Sequence, residues 1–96
     1  MPRAKIDPNA PDTLMCADGT TRVVRPLNGN SYKLQELYEL LGCRTVEVVY
    51  TPVKDLILIC DEESRVFDAK DNTQASNLAG QSIVGTALAC HTKRFK

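Results

Sequence analysis

Residues 56–60 have the sequence Leu-Ile-Leu-Ile-Cys, an apolar run without a polar interruption, and this stretch decides the fold. A short apolar run bounded by turn residues is typical of a strand that is buried on both faces. Asp55 precedes the run, and the polar residues 61–64 follow it. We therefore expect this strand to lie in the interior of a sheet.

Two further strands are predicted, one on each side of this run. Residues 45–50 are β-branched and alternate in character, which is typical of a strand. The alternation leaves open which set faces inward: Val46, Val48 and Tyr50, or Glu47, Val49 and Thr51. Residues 82–91 form the last predicted strand, and one of its faces carries the small residues Gly85, Ala87 and Ala89. Because small residues let a helix approach closely, we expect the helices to pack there.

Two helices are predicted from their spacing and caps. The first spans residues 32–41, with Ser31 as N-cap and Gly42 as C-cap. Its apolar face has the i, i+3, i+4, i+7 spacing of a helix: Leu34, Leu37, Tyr38 and Leu41. The second is short; it begins at Asp71 or Asn72 and ends at Gly80.

The remaining elements are a hairpin and a short strand. Residues 13–17 and 20–26 are expected to pair across the Asp18-Gly19 turn, because both turn residues tolerate positive φ. Residues 65–67 are expected to form a short further strand. The element order is then β-β-α-β-β-α-β, an α+β fold with a five-stranded mixed sheet. We expect both helices on one sheet face, which leaves the other face partly exposed.

The 96 residues suit one domain. Residues 1–12 hold three of the five prolines and are expected to form a flexible arm. Residues 13–92 form the α+β domain, and residues 93–96 are expected to be a solvated basic tail.

Composition argues against several classes of protein. Twelve basic and twelve acidic residues give zero formal charge, whereas nucleic-acid binding usually needs a basic surplus. The N-terminus lacks the apolar segment of a signal peptide, and no apolar run approaches the roughly 20 residues that cross a membrane. We expect a cytoplasmic protein whose four cysteines, Cys16, Cys43, Cys60 and Cys90, are free thiols.

No pattern of residues points to catalysis or to a metal site. The single histidine, His91, lies near the C-terminus without a nucleophile motif around it. The cysteine spacings match no zinc template, and Asp61-Glu62-Glu63 lacks the spacing of a calcium loop. We therefore predict no catalytic residues, no metal ligands and no cofactor.

Several segments together resemble the family known as domain of unknown function 3846. They cover roughly residues 20–90, and the most specific is Asn72-x-x-Ala75-x-x-Leu78-Ala79-Gly80-x-x-Ile83-Val84-Gly85-Thr86. Others are Asn28-Gly29-Asn30-Ser31, residues 34–42, residues 46–50 and residues 58–63. The resemblance implies a bacterial, phage or large-DNA-virus origin, with host cytoplasm as the location if the protein is viral. It implies no activity and no site residues.

Two functions are expected on these grounds. The first is a small non-catalytic binding domain that contacts a protein partner, or a second copy of itself, through an exposed sheet face. The alternative is an accessory protein, of viral or phage type, that sequesters a small ligand or nucleotide. For that alternative the candidate ligand-binding residues are Arg22, Arg25 and Arg65, because a basic side chain at a pocket mouth can hold an anion.

Overall fold

Five strands and two helices form the fold in the computed structural model, which describes residues 11–63 and 70–95. The strands are β1 (Asp12–Met15), β2 (Thr21–Val24), β3 (Val46–Tyr50), β4 (Leu56–Asp61) and β5 (Ala87–His91). The helices are α1 (Leu34–Leu41) and α2 (Thr73–Ala79), and a short 3₁₀ helix spans Thr92–Arg94. The predicted α+β class and element order are confirmed.

One sheet contains all five strands, in the order β2-β1-β5-β4-β3. Every neighbouring pair is antiparallel, so the prediction of a mixed sheet is wrong. The reason is the path of the chain. Helix α1 links strands at opposite edges of the sheet, and α2 links the antiparallel neighbours β4 and β5.

The two helices cover opposite faces of the sheet. Ile57 and Ile59 of β4 pack in one core cluster with α1, whereas Leu58 and Cys60 pack in another with α2. Because successive side chains of a strand point to opposite faces, the prediction of both helices on one face is wrong. Exposed apolar side chains remain at the two edge strands, where Val23 and Tyr50 are 72% and 75% exposed. A strand that is apolar on both sides requires cover on both sides.

This arrangement resolves the two open questions about strand faces. Both sets of β3 residues face a helix: Val46 and Val48 pack against the α1 cluster, and Val49 packs against the α2 cluster. On β5, Ala87 packs with α2, so the predicted small-residue contact is confirmed for that helix. It is wrong for α1, which packs against Leu88 on the other face.

The predicted ends of the helices are partly confirmed. Gly42 and Gly80 end the helices with φ of 64° and 73°, in the left-handed region that glycine tolerates. Lys33, and not Ser31, is the N-cap residue of α1. Asn72 caps α2, since its Oδ1 accepts a hydrogen bond from the backbone N–H of Ala75 at 3.1 Å.

Both predicted domain boundaries are wrong where the structure describes them. Asp12 is the first residue of β1 and only 4% exposed, so it does not belong to an arm. Arg94 is also 4% exposed, and Phe95 forms a parallel bridge with Tyr32, so these residues are not a solvated tail. Residues 1–10 of the predicted arm and the predicted strand at 65–67 lie outside the described residues.

Candidate binding groove

A groove of about 720 Å³ opens between the edge strand β2 and helix α1. One wall is formed by Arg22, Val24 and Arg25, the other by residues of α1 that include Glu39 and Leu40. The loop from β2 to α1 closes one end with Leu27, Asn28 and Lys33. The groove therefore combines a strand edge, a helix side and a loop.

The pairing of β1 with β2 determines which side chains enter the groove. Arg22 lies opposite Leu14 and Val24 opposite Asp12. Leu14 belongs to the core cluster under α1, and Val24 packs against that cluster. Because directly opposite residues of antiparallel strands share a face, Arg22 and Val24 both lie on the α1 side.

Glu36 and Asn28 fix the loop at the end of the groove. The Glu36 carboxylate accepts hydrogen bonds from the backbone N–H of Leu27 at 2.7 Å and of Lys33 at 3.2 Å. Asn28 Oδ1 accepts from the N–H of Asn30 at 2.8 Å and of Ser31 at 3.0 Å. Leu27 is held at the rim with 91% of its surface exposed.

The charge around the groove favours an anionic occupant. Its described lining has three cationic side chains, Arg22, Arg25 and Lys33, against the carboxylates of Glu36 and Glu39. Glu36 already binds two backbone amides, which reduces what it can offer a ligand. The half-buried Val24 and Leu40 supply an apolar surface between the charges.

Of the three candidate residues predicted from sequence, the structure brings Arg22 and Arg25 into this groove. Arg65 lies outside the described residues. Sequence reasoning missed Lys33, Leu27 and Glu39. The signal available for Glu39 was its position on the polar side of a well-patterned helix, but that pattern does not reveal which strand the helix side faces.

A buried polar cluster lies beneath the loop of the groove. The Tyr32 hydroxyl donates to Asp12 Oδ2 at 2.5 Å, and Arg94 Nε lies 3.7 Å from the same oxygen. Arg94 Nη1 donates to the backbone carbonyls of Gly29 at 3.3 Å and Asn30 at 3.2 Å. The cluster thereby ties the first strand and the C-terminal 3₁₀ helix to the groove loop.

Burial controls the ionisation of this cluster. It raises the pKa of Asp12, although the Tyr32 hydrogen bond and the Arg94 charge act in the opposite direction. Burial also raises the pKa of Tyr32, and the nearby Asp12 raises it further. Tyr32 therefore remains a neutral hydrogen-bond donor at physiological pH.

Two of the cysteines and the histidine pack in the core or cap an element. All four thiols are free. Burial raises the pKa of both Cys60 and Cys90 to about 12, and these two belong to the core clusters on opposite sheet faces. His91 Nδ1 accepts a hydrogen bond from the N–H of Lys93 at 3.1 Å, which caps the 3₁₀ helix. Within residues 11–63 and 70–95, no group of three or more His, Cys, Asp or Glu side chains is placed to hold a metal ion.

The fold and groove define a small antiparallel α+β domain with one helix on each sheet face. Residues 12–95 match the family described as Domain of unknown function (DUF3846), and the chain belongs to that family. No curated protein and no solved structure matches the chain. In the described part of the chain, neither helix has the length and apolar character needed to cross a membrane.

Proposed function

We propose that this chain is a non-catalytic binding domain that acts through protein contacts and holds an extended acidic segment of a partner protein in the groove along β2. The observation that carries the proposal is the position of the groove beside an edge strand. Among the described residues, β2 pairs with β1 alone. An extended segment can therefore add to the sheet as a further strand.

Strand addition divides recognition between backbone and side chains. Within residues 11–63 and 70–95, no strand pairs with the outer edge of β2. The backbone N–H and C=O groups of such an edge supply affinity for any extended chain. Alternate side chains of the added segment point towards the α1 side. There Arg22 and Lys33 favour carboxylates, and Val24 and Leu40 favour apolar groups.

The second candidate occupant is a small anionic ligand. Binding of such a ligand would correspond to an accessory protein, of viral or phage type, that sequesters a small ligand or nucleotide. The volume of about 720 Å³ falls within the range of small-molecule sites. Arginine side chains at the rim suit phosphate or carboxylate groups. The position of β2 at the edge of the described sheet favours the peptide, because a small ligand would not use the backbone groups of that strand.

The test is an NMR titration of isotope-labelled protein with a hexapeptide of alternating glutamate and valine. We expect amide shifts in β2, in the loop to α1 and in α1. Arg22→Glu should weaken binding by at least about tenfold, which corresponds to about 1.4 kcal/mol. Lys70→Glu makes the same charge change at an exposed site outside the groove and should retain binding.

Two comparison ligands make the outcome decisive. A hexapeptide of alternating lysine and valine should not bind, and adenosine monophosphate represents the second candidate. Binding of the nucleotide without the acidic peptide would replace the peptide proposal. Shifts confined to residues away from the groove would overturn both.

A further inference from the structure

The edge opposite to β2 carries the opposite charge. A second groove of about 560 Å³ lies along β3, and its described lining includes Glu47, Val49, Glu62, Gln81 and Ile83. The lining residues that the structure describes include two carboxylates and no cationic side chain. The sheet thus has a cationic groove at one edge and an anionic groove at the other, in a chain of zero formal charge.

We propose that the acidic segment held along β2 is strand β3 of a second copy of this chain, so that copies join head to tail through their sheet edges. This rests on the proposed function, and it names the partner of the same groove. The other self-pairings bring like charges together: β2 with β2 brings two arginine-bearing edges together, and β3 with β3 brings two Glu47-bearing edges together.

The geometry of the sheet selects an antiparallel junction. Strands β2 and β3 run in the same direction, because every neighbouring pair between them is antiparallel. An antiparallel contact between β2 and a second copy's β3 therefore requires that copy to be turned over. In the joined sheet, the α1 side of one copy then lies on the same face as the α2 side of the next copy.

This reversal brings the two grooves together. Arg22 and Val24 lie on the α1 side. Glu47 and Val49 lie on the α2 side, since they pair with Cys60 and Leu58 of the α2 cluster. In the junction all of these side chains share one face, and both grooves open on it. A parallel junction would place Glu47 on the face away from the cationic groove.

One antiparallel register keeps these faces and pairs all of β2 within β3. It places Thr21, Arg22, Val23 and Val24 opposite Tyr50, Val49, Val48 and Glu47 of the second copy, in that order. Glu47 then projects beside Val24, diagonal to Arg22 and within reach of its long side chain. The charged pair lies inside the merged groove.

The same register covers exposed apolar side chains on the reverse face. Val23 is 72% exposed and Tyr50 is 75% exposed. Val23 would lie opposite the second copy's Val48 and diagonal to its Tyr50. The junction therefore pairs apolar surface on one face and opposite charges on the other.

Sedimentation velocity on the full chain at low salt tests the proposal. The average mass of the wild type should rise over concentrations from about 10 µM to about 1 mM, as expected for a small interface. The rise should weaken in about 1 M salt, where the Debye length falls to about 3 Å. Arg22→Glu and Glu47→Arg should each remain monomeric, while Lys70→Glu should associate like the wild type.

An equimolar mixture of Arg22→Glu and Glu47→Arg provides the decisive control. Each variant restores opposite charges at its junction with the other, so the mixture should recover wild-type association. General damage to the fold would not be repaired by mixing. A wild type that stays monomeric, or a mixture that stays monomeric, overturns the proposal.

The two proposals fail in different ways. The Glu47→Arg variant keeps its cationic groove but cannot join copies, so the acidic hexapeptide can be titrated against it alone. Peptide binding to that variant together with a monomeric wild type retains the proposed function and rejects the self-partner. Recovery of association on mixing without peptide binding retains the self-partner and rejects recognition of acidic segments in general.

Discussion

Asp12 and Arg94 place two charged side chains, each 4% exposed, in contact inside a small domain. Removing a charge from water has a large cost, and only good partners offset it. For Asp12 the cost of burial exceeds the gain from the Tyr32 hydrogen bond and the Arg94 charge, because its pKa is raised above the usual 3.8. Folding consequently shifts the ionisation equilibrium of Asp12 towards the protonated form.

The pH dependence of stability follows from that direction. With a folded-state pKa above the unfolded-state value, the stabilising effect of the protonated group is fully present below about pH 3.8 and is lost as pH rises through the folded-state pKa. Between about pH 7 and pH 3, the wild type should therefore gain stability relative to Asp12→Asn as pH falls. Urea unfolding at a series of pH values measures the difference.

Asp18 supplies a control of opposite sign. Its hydrogen bonds with Thr20 lower its pKa, so the wild type should lose stability relative to Asp18→Asn as pH falls. If the wild type also lost stability relative to Asp12→Asn as pH falls, the attraction of Arg94 for the Asp12 carboxylate would exceed the cost of burying that carboxylate.

The sequence predicts the roles that depend on neighbouring residues better than the contacts between residues far apart in the chain. Gly42 and Gly80 were predicted as C-caps because a cap depends on neighbours within one turn. Arg94 was predicted to lie in a solvated tail, but it is buried. Its hydrogen-bond partners Gly29 and Asn30 lie 65 and 64 residues away, so the residues next to Arg94 do not indicate its burial. No periodicity connects residues at that separation.

Among the elements, β4 and β5 explain both the success and the failure of the fold prediction. The apolar run correctly indicated a strand buried on both faces, and residues Ile57–Cys60 are all buried. The same run already required a helix on each face, whereas the small residues of β5 suggested one packing face. Those small residues accommodate α2 alone, since α1 packs against the larger Leu88.

The packing of α2 against β5 can be tested by enlarging one side chain. Ala87 is fully buried in the cluster that contains Ala75 and Ala79 of α2. Ala87→Leu should therefore lower the free energy of unfolding by about 1–3 kcal/mol through overpacking. Chemical denaturation measures the loss.

Truncation and a neighbouring enlargement serve as comparisons. Leu58→Ala, in the same cluster, should cost about 2–5 kcal/mol because it leaves a cavity. Ala89→Leu, at a half-buried position on the same face of β5, should cost less than Ala87→Leu. Unchanged stability in Ala87→Leu would show that α2 does not press on β5.

At the scale of the whole molecule, Asp12 belongs to the folded domain as the first residue of β1. Deleting residues 1–10, whose only large apolar side chains are Met1 and Ile6, should leave the thermal midpoint nearly unchanged. Deleting residues 1–12 removes the partner of both Tyr32 and Arg94. That longer deletion should lower the midpoint by about 4–8 °C for each kcal/mol lost.

Calorimetry of the two deletions separates these cases. A fall of about 10 °C or more on removing only residues 1–10 would contradict the prediction and show that this segment stabilises the domain. Equal midpoints for both deletions would show that the Asp12 contacts contribute nothing to stability.

The groove shows how far whole-molecule features can be predicted from sequence. Arg22 and Arg25 are three residues apart, a spacing that points to opposite faces on a regular strand. They line one groove because β2 ends at Val24, before Arg25. Lys33 and Glu39 join them only because β2 is an edge strand with α1 beside it. Strand order depends on the packing of segments that are distant in the chain, so the alternation within each strand does not predict it.

The position of β5 also has a consequence for synthesis on the ribosome. The last strand of the sequence occupies the middle of the sheet, between β1 and β4. Until β5 emerges, the β1–β2 and β3–β4 hairpins have no common neighbour, and the inner edges of β1 and β4 stay unpaired. Long-range pairing of this kind is slow and exposes strand edges to aggregation. The nascent chain should therefore complete its fold only after translation has passed residue 91.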